Sequence, residues 1–530
     1  MKTTTLISST LGEDSKCEPP LGPLYIASAL EQVGWSVDFR DYQLCPGADV
    51  YSAEKLYEFL TGHQPILMIS CFVDMLPVVL ATAEMIKSKN PNTYIVLGGP
   101  GPSAGAADII RRFPTVDAIV RGEGEETITE WASSLSKTMN EAADWQPIAG
   151  MVMRNGHQIL DGGERPRMTN VNIPRPAYHL LDWSQYTAGR ITTTRGCPYN
   201  CSFCDVAPLW GRKAVYQNLA SVVDEIVELR DCYGVTGVAI ADDTFVLNRD
   251  RVREFCHLLI DRQVQIEWGC FARINLMSED LVALMARAGC RGVFYGIDSG
   301  SPNILKQTLK ELDADTVIPT LRFSAKYFEF VEASFIWGYP FERLDDFLLT
   351  LEMAADASYL APIVNVQLHM LSPLPNSPMY KSFSGTLRPP DADDRQWLLL
   401  PGVLIDERAA QIRDIIKRDP ALFPGFFTFP TPDKAQKLAK LRDVVGSMER
   451  TIGRVMTDDA VYRLMEETHI ETEAELLHEA STPSDRIGTG LALGVFSRTR
   501  RYKHRIKSEP LRRPPAITRQ RNDVQGLHIP

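Results

Sequence analysis

The chain has 530 residues, of which 44% are hydrophobic and 23% charged, a composition that excludes a disordered or fibrous protein and suits about two to four globular domains. A net charge of −11 argues against broad nucleic-acid contact, no apolar run is long enough to cross a bilayer, and the start, Met1-Lys-Thr-Thr-Thr-Leu-Ile-Ser-Ser9, lacks the core of a secretory signal. Ten cysteines in 530 residues are no disulfide framework, so a reducing cytoplasmic setting is expected, with neither a nucleic-acid nor a membrane partner.

Short apolar strands alternate with helical patterns over residues 1–140. The strands are expected at Leu6–Ser8, Ser36–Phe39, Ile66–Ser70, Tyr94–Gly98 and Asp117–Arg121, with helices over Pro23–Val33 and Pro77–Lys89. This alternation predicts an α/β domain with a doubly wound parallel sheet, whose ligands meet the loops at the strand carboxyl ends. Those loops span residues 8–21, 70–76, 98–105 and 121–127. The run Gly99-Pro-Gly-Pro-Ser-Ala104 fits G-x-G-x-x-A on paper, but a dinucleotide fingerprint belongs to the first strand-to-helix turn. Here it follows the fourth strand, and Pro100 and Pro102 remove two amide donors; a Gly/Pro loop instead lets a flat ligand approach the backbone. Residues 141–185 read as a linker.

A second alternation covers residues 186–380. Its strands are expected at Ile191–Thr194, Gly237–Ala241, Gln265–Cys270, Gly292–Gly296, Val331–Ile336 and Ile363–Leu368, a partial (β/α)6 barrel of TIM-like design with its chemistry at the strand carboxyl ends. Directly after the first of these strands lies Thr194-Arg-Gly-Cys-Pro-Tyr-Asn-Cys-Ser-Phe-Cys204, which offers three thiolates, Cys197, Cys201 and Cys204, from one loop. A structural zinc site would pair such a run with a second C-x2-C or H-x3-5-H, and none is present. A [4Fe–4S] cluster normally takes four cysteines, so a cluster held by three leaves one iron open to a small molecule.

This C-x3-C-x2-C run, with Phe203 before its last cysteine, resembles the signature of radical S-adenosylmethionine (SAM) enzymes, in which the open iron chelates the amino and carboxylate groups of SAM. The strand ends extend the likeness. Asp242 and Asp243 resemble the motif that holds the SAM amino group, although paired carboxylates could equally cap the next helix. Arg273 has the fork that suits a carboxylate. Gly296-Ile-Asp-Ser-Gly300 resembles G-x-E-S-G, with Asp298 one methylene short of the usual glutamate for its ribose contact and Ser299 beside it. Gly338, in Phe335-Ile-Trp-Gly-Tyr-Pro340, matches the turn where adenine packs. The resemblance therefore implies SAM contacts from Phe203, Asp242, Asp243, Arg273, Asp298, Ser299 and Gly338.

The first 140 residues are similar to the cobalamin-binding domain that precedes the barrel in one large subfamily, on the strength of Pro20-Leu-Gly-Pro-Leu-Tyr-Ile-Ala27, Ser70, Gly98-Gly99-Pro100 and Val120-Arg-Gly-Glu-Gly-Glu-Glu-Thr127. The likeness implies contacts with cobalamin from Thr10, Leu11, Leu21, Gly22, Ser70, Cys71, Phe72, Gly98, Gly99, Pro100, Gly101, Gly122, Glu123 and Glu125. It departs from the D-x-H-x-x-x-G pattern, because residues 8–20 contain no histidine and His63 precedes the third strand. The expected cobalamin thus has no protein imidazole below cobalt.

The whole resembles the cobalamin-dependent (class B) radical SAM methyltransferases. That likeness implies one SAM methylating cobalamin, a second yielding a 5′-deoxyadenosyl radical, an external electron donor of the flavodoxin or ferredoxin type, and oxygen sensitivity. Tyr339 and Tyr216 are the candidate catalytic side chains facing substrate, each with a structural role as the competing reading. The substrate is expected to be a small molecule of secondary metabolism, carrier-tethered or free, such as a heteroaromatic; ring formation or oxidation without methyl transfer is the alternative, and a non-catalytic cobalamin- or metal-binding regulator a more distant one.

A Pro-rich exit, Leu371-Ser-Pro-Leu-Pro-Asn-Ser-Pro378, leads into a mainly α C-terminal substrate domain over 381–480. It carries an aromatic run, Phe423-Pro-Gly-Phe-Phe-Thr-Phe-Pro430, and helices over Asp433–Val455 and Ala460–Glu479. The segment 481–530 reads as a tail. Within it, residues 498–513 hold eight Lys/Arg and one Glu, so the rest of the chain is at −18.

Overall fold

The computed structural model describes residues 2–9, 18–138, 146–169 and 174–448, apart from 359, 362, 399 and 401. Thr10 and Leu11, the helix expected over 460–479 and the basic tail lie outside the described residues.

The first sheet has strands β1 (Lys2–Ser8), β2 (Trp35–Asp41), β3 (Ile66–Ser70), β4 (Tyr94–Gly98), β5 (Ala118–Val120), β6 (Met151–Asn155) and β7 (Gln158–Asp161). Its order is β2-β1-β3-β4-β5-β6-β7, parallel through β5 and antiparallel for the last two. Helices cover both faces, which is why the central strands read as unbroken apolar runs rather than alternating ones. The order reverses at β1/β3, where Ser8 stands beside Ser70 at the strand carboxyl ends. The β6–β7 hairpin extends this sheet into the segment expected to be a linker. Gly156, at φ +59, sits in its tight turn just after Asn155.

The second sheet contains β8 (Gly189–Ile191), β11 (Gly237–Ile240), β12 (Glu267–Ala272), β13 (Cys290–Asp298), β14 (Phe330–Trp337) and β15 (Val364–Met370), all parallel and in chain order, as a partial barrel requires. Between β8 and β11, β9 (Thr194–Arg195) pairs antiparallel with β10 (Val215–Tyr216) and frames the cysteine loop. The crossover helices carry their own stop signals. Asn218 caps the helix Leu219–Tyr233 by accepting from the Ser221 amide at 3.1 Å, and Gly234 ends it at φ +71. Phe245, Phe255 and Trp268 meet edge to face at 5.5–5.6 Å behind β11 and β12, each pair adding about 0.5–1.5 kcal/mol beyond burial.

The two sheets share an interface. Leu21, Leu24 and Tyr25, on the helix Leu21–Gln32, belong to the apolar core of the barrel, and Tyr25 Oη lies 3.0 Å from Thr192 Oγ1. The segment after β15 is not a separate helical lobe within its described part. Val403, Leu404 and the apolar face of the helix Ala410–Arg418 join the core of the first domain, whereas Trp397, Leu438 and Leu441 join the barrel core. Of the aromatic run, Phe423 and Phe426 fill the first domain's core and Phe429 packs with Tyr339. The physical reason is supply: the first sheet's helices leave apolar surface uncovered, and this strap covers it. Among the described residues no helix is long and apolar enough to cross a membrane.

Candidate active site

The cysteine loop is fixed by its own backbone before any ligand is considered. Ser202 donates its amide to Thr308 O at 2.8 Å and accepts from the Met379 amide at 2.8 Å, while Cys204 N donates to Cys201 O at 3.1 Å. Gly196, at φ +91, turns the chain where a Cβ would lie 2.4 Å from Lys213 O, so only glycine fits. Among the described residues no group of three or more His, Cys, Asp or Glu side chains is placed to hold a single metal ion; in a [4Fe–4S] cluster each thiolate takes its own iron. Burial pushes the Cys204 thiol up to about 12 and that of Cys197 upward, so these sulfurs ionise when metal takes them rather than in the bare protein. The donor set fits the cluster.

Arg273 is buried behind this loop. Its Nη1 lies 3.5 Å from Cys201 Sγ, Nη2 donates to Lys310 O, and the guanidinium stacks 3.6 Å from the Tyr199 ring centre. This delocalised charge faces the thiolates with its Nε unpartnered, which suits a guanidinium that tunes the cluster or meets an anionic ligand group.

The paired carboxylates turn inward to the chain itself. Asp242 accepts from Thr193 N and Oγ1, both at 2.6 Å, and from Thr194 N at 3.0 Å; burial raises its pKa to about 6 against those bonds. Asp243 accepts from Gly196 N at 3.0 Å. Both therefore hold the strand that launches the cysteine loop. Asp298, left-handed at φ +70, forms a buried ion pair with Lys310. Ser299 Oγ lies 2.9 Å from Thr350 Oγ1, and Gly338 N donates to Glu342 Oε2 at 2.8 Å.

Phe203 and Tyr339 do meet, edge to face at 6.1 Å. The Tyr339 hydroxyl is fully buried without a partner; burial, with Asp298, Glu342 and Cys201 adding to it, keeps the proton on Oη. Tyr216 stands apart in the β9–β10 hairpin, under the Arg251 guanidinium at 5.1 Å.

At the open end of the first sheet the loops after β3 and β4 close on each other. Gly101 N donates to Cys71 O and Cys71 N to Gly98 O, both at 3.0 Å. A Cβ on Gly101 would lie 2.5 Å from Phe72 O, and one on Gly99 2.7 Å from Cys71 O. These glycines let the two loops pack backbone against backbone. Pro100 begins the single turn Pro100–Ser103, Cys71 is buried, and Phe72 is left 49% exposed on the rim. Gly22 and Gly122 face open space, and Ser70 pairs with Gly98 where β3 and β4 end. Leu21 instead packs into the barrel core. His63 is at the opposite, amino end of β3, its Nδ1 2.7 Å from Gln64 O. Gly101→Ala should cost about 1–3 kcal/mol through that backbone clash and lower the cobalamin retained after desalting, read by visible absorbance.

The B12-binding domain family matches residues 9–132, and the radical SAM superfamily matches residues 191–354. The chain joins a B12-binding domain to a radical SAM domain, the pairing found in cobalamin-dependent radical SAM enzymes. Its cofactors are cobalamin, a [4Fe–4S] cluster and SAM. An uncharacterized methyltransferase of Pyrococcus horikoshii is 29% identical over 344 residues, 63% of this chain and 73% of that protein. The anaerobic magnesium-protoporphyrin IX monomethyl ester cyclase of Cereibacter sphaeroides is 27% identical over 376 residues, 68% of this chain but only 60% of the cyclase. The methyltransferase TsrM from Kitasatospora setae, solved with cobalamin and a [4Fe–4S] cluster, superposes with TM-score 0.64 at 17% identity, covering 93% of this chain and all of that one. The cobalamin-dependent radical enzyme OxsB superposes at 0.65 with 16% identity, covering 94% of this chain and 79% of that one. At such identities the likeness to the solved structures is one of fold.

Sequence reasoning missed Lys310, Arg195, Arg167, Glu342 and Lys437. Each acts through partners distant in the chain and carries no local signature.

Proposed function

We propose that the protein is a C-methyltransferase that moves a methyl group from SAM, by way of cobalamin, to a carbon of a small or carrier-tethered substrate, with a heteroaromatic of secondary metabolism as the favoured class. The observation that carries this reading is the docking of β9, the strand that leads into the cysteine loop, against the segment after β5 of the cobalamin domain, with Arg195, two residues before Cys197, held 2.7 Å from Glu125. When bound, cluster, SAM and cobalamin together supply carbon–hydrogen cleavage and methyl delivery, for which side-chain acids, bases and nucleophiles have little to act on. The chain's own residues do the rest. Cys197, Cys201 and Cys204 hold the cluster, Arg273 lies behind it, Asp242 and Asp243 fix the strand entering the loop, and Tyr339 keeps a proton on its hydroxyl next to the site. Phe203, Phe341, Phe383 and Phe429 wall the space around Tyr339 and exclude water from it. Electrons come from an external donor of the flavodoxin or ferredoxin type.

A second reading, ring formation or oxidation without methyl transfer, draws support from the cyclase relatives of Cereibacter sphaeroides and Synechocystis. Anaerobic reconstitution with iron, sulfide, hydroxocobalamin and SAM, followed by mass spectrometry of host metabolites, separates the two. Methyl transfer yields S-adenosylhomocysteine and methylated product in equal amounts, with 5′-deoxyadenosine in step when hydrogen is abstracted. A modified product without S-adenosylhomocysteine would sink the methyltransferase reading.

A further inference from the structure

One buried charge cluster joins the two domains. Glu123 lies in the loop after β5, at the open end of the first sheet, Glu125 opens the helix Glu125–Thr138 that follows it, and Arg195 lies in β9, immediately before the Gly196 turn into the cysteine loop. Arg195 is only 8% exposed. Its Nη1 is 3.3 Å from Glu123 Oε1 and its Nη2 2.7 Å from Glu125 Oε1, and the guanidinium lies 4.7 Å from the ring centre of Tyr25 on the helix Leu21–Gln32. Both arms of the fork thus end on one domain while the backbone belongs to the other. Arg167 braces the arrangement: its Nη2 donates to Arg195 O at 3.2 Å, its Nη1 to Lys213 O at 2.6 Å, and its Nε lies 3.7 Å from Glu123 Oε2, which also accepts from Met168 N at 2.9 Å. On the far side Asp243 holds Gly196 N.

The sequence suggested Glu123 and Glu125 as ligand contacts. In the structure their carboxylates are engaged by Arg195, two residues before Cys197, and by Arg167, which is braced against the same strand. A planar two-armed clamp fixes angle as well as distance, which a point charge does not.

We propose that Arg195 is a positioning residue that sets the separation and orientation of the [4Fe–4S] cluster relative to cobalamin, by clamping the strand before Cys197 to Glu123 and Glu125, at the loop-to-helix turn after β5 of the cobalamin domain. The inference rests on the cofactors and not on methyl transfer, so its test reads no turnover and stands if the methyltransferase reading fails.

The test is pulsed electron paramagnetic resonance on the full chain loaded with cluster and cobalamin, reduced so that the cluster and cob(II)alamin each carry an unpaired electron. Wild type gives one narrow distance distribution. The double variant Arg195→Gln/Glu125→Gln, which removes both charges of the closest pair and leaves Glu123 with Arg167, should widen that distribution roughly twofold or more at unchanged iron and cobalt content. Arg195→Lys keeps the buried charge, and with it the fold, but loses the fork, and should widen it to a lesser degree. A merely structural arginine would lower the melting temperature and leave the distance alone. A wild-type distribution in either loaded variant overturns the proposal, and if the double variant does not take up its cofactors, Arg195→Lys alone decides.

Discussion

Cys201→Ala yields a folded protein that no longer cleaves SAM, with activity down by more than about a thousandfold, or ~4 kcal/mol of barrier. Cys201 is the buried member of the triad and the one facing Arg273. Its loop does not depend on the sulfur for its shape, because the Ser202 amide bonds to Thr308, Ser202 O accepts from Met379 N, and Asp243 anchors Gly196. Loss of iron should therefore come without loss of fold: circular dichroism and the thermal midpoint of the apoprotein stay near wild type while bound iron and the cluster absorbance collapse. A variant that retains full iron content and cleaves SAM would remove Cys201 from the ligand set.

Lys437→Met is expected to destabilise the protein by about 3–5 kcal/mol. Lys437 and Glu342 are both fully buried, and Nζ donates to Glu342 Oε2 at 2.9 Å, Glu342 O at 2.6 Å and Thr431 Oγ1 at 2.8 Å. The same glutamate accepts from the Gly338 amide, so the pair ties the helix Lys434–Met448 to the turn beside Tyr339. Removing the cation strands a carboxylate whose pKa burial already pushes upward. Methionine restores the volume but not the charge. The double variant Lys437→Met/Glu342→Gln should recover much of the loss, since the cost belongs to the unpaired charge rather than to the pair. Denaturant midpoints of the four proteins in this cycle give the coupling directly; equal losses in single and double variants would mean that packing, not charge, sets the effect.

The strands β3 and β4 match the expected Ile66–Ser70 and Tyr94–Gly98 residue for residue, because a parallel strand covered on both faces writes an apolar run bounded by turn residues. The cysteine spacing was equally readable, being a local signal. The β6–β7 hairpin was available from Asn155-Gly156 but was absorbed into a linker. What local sequence does not carry is the partner. Asp242 was legible as a strand-end carboxylate, yet nothing in its neighbourhood says that Thr193 and Thr194 saturate it. Arg195 was passed over and Glu125 assigned another task, since the two sit 70 positions apart and only the fold joins them. The C-terminal aromatic run gave no periodicity from which to divide its rings between two cores.

The strap after β15 bears on how such a protein could be taken apart. Chain from 403 to 426 finishes the hydrophobic interior of the amino-terminal sheet, and chain on either side of it, at 397 and at 438–441, finishes that of the barrel. The amino-terminal module is therefore completed by residues made after the whole barrel sheet, and neither module is a self-sufficient cassette. Grafting it onto another barrel would transplant an interior with one wall missing, so any exchange of parts has to carry the returning strap as well.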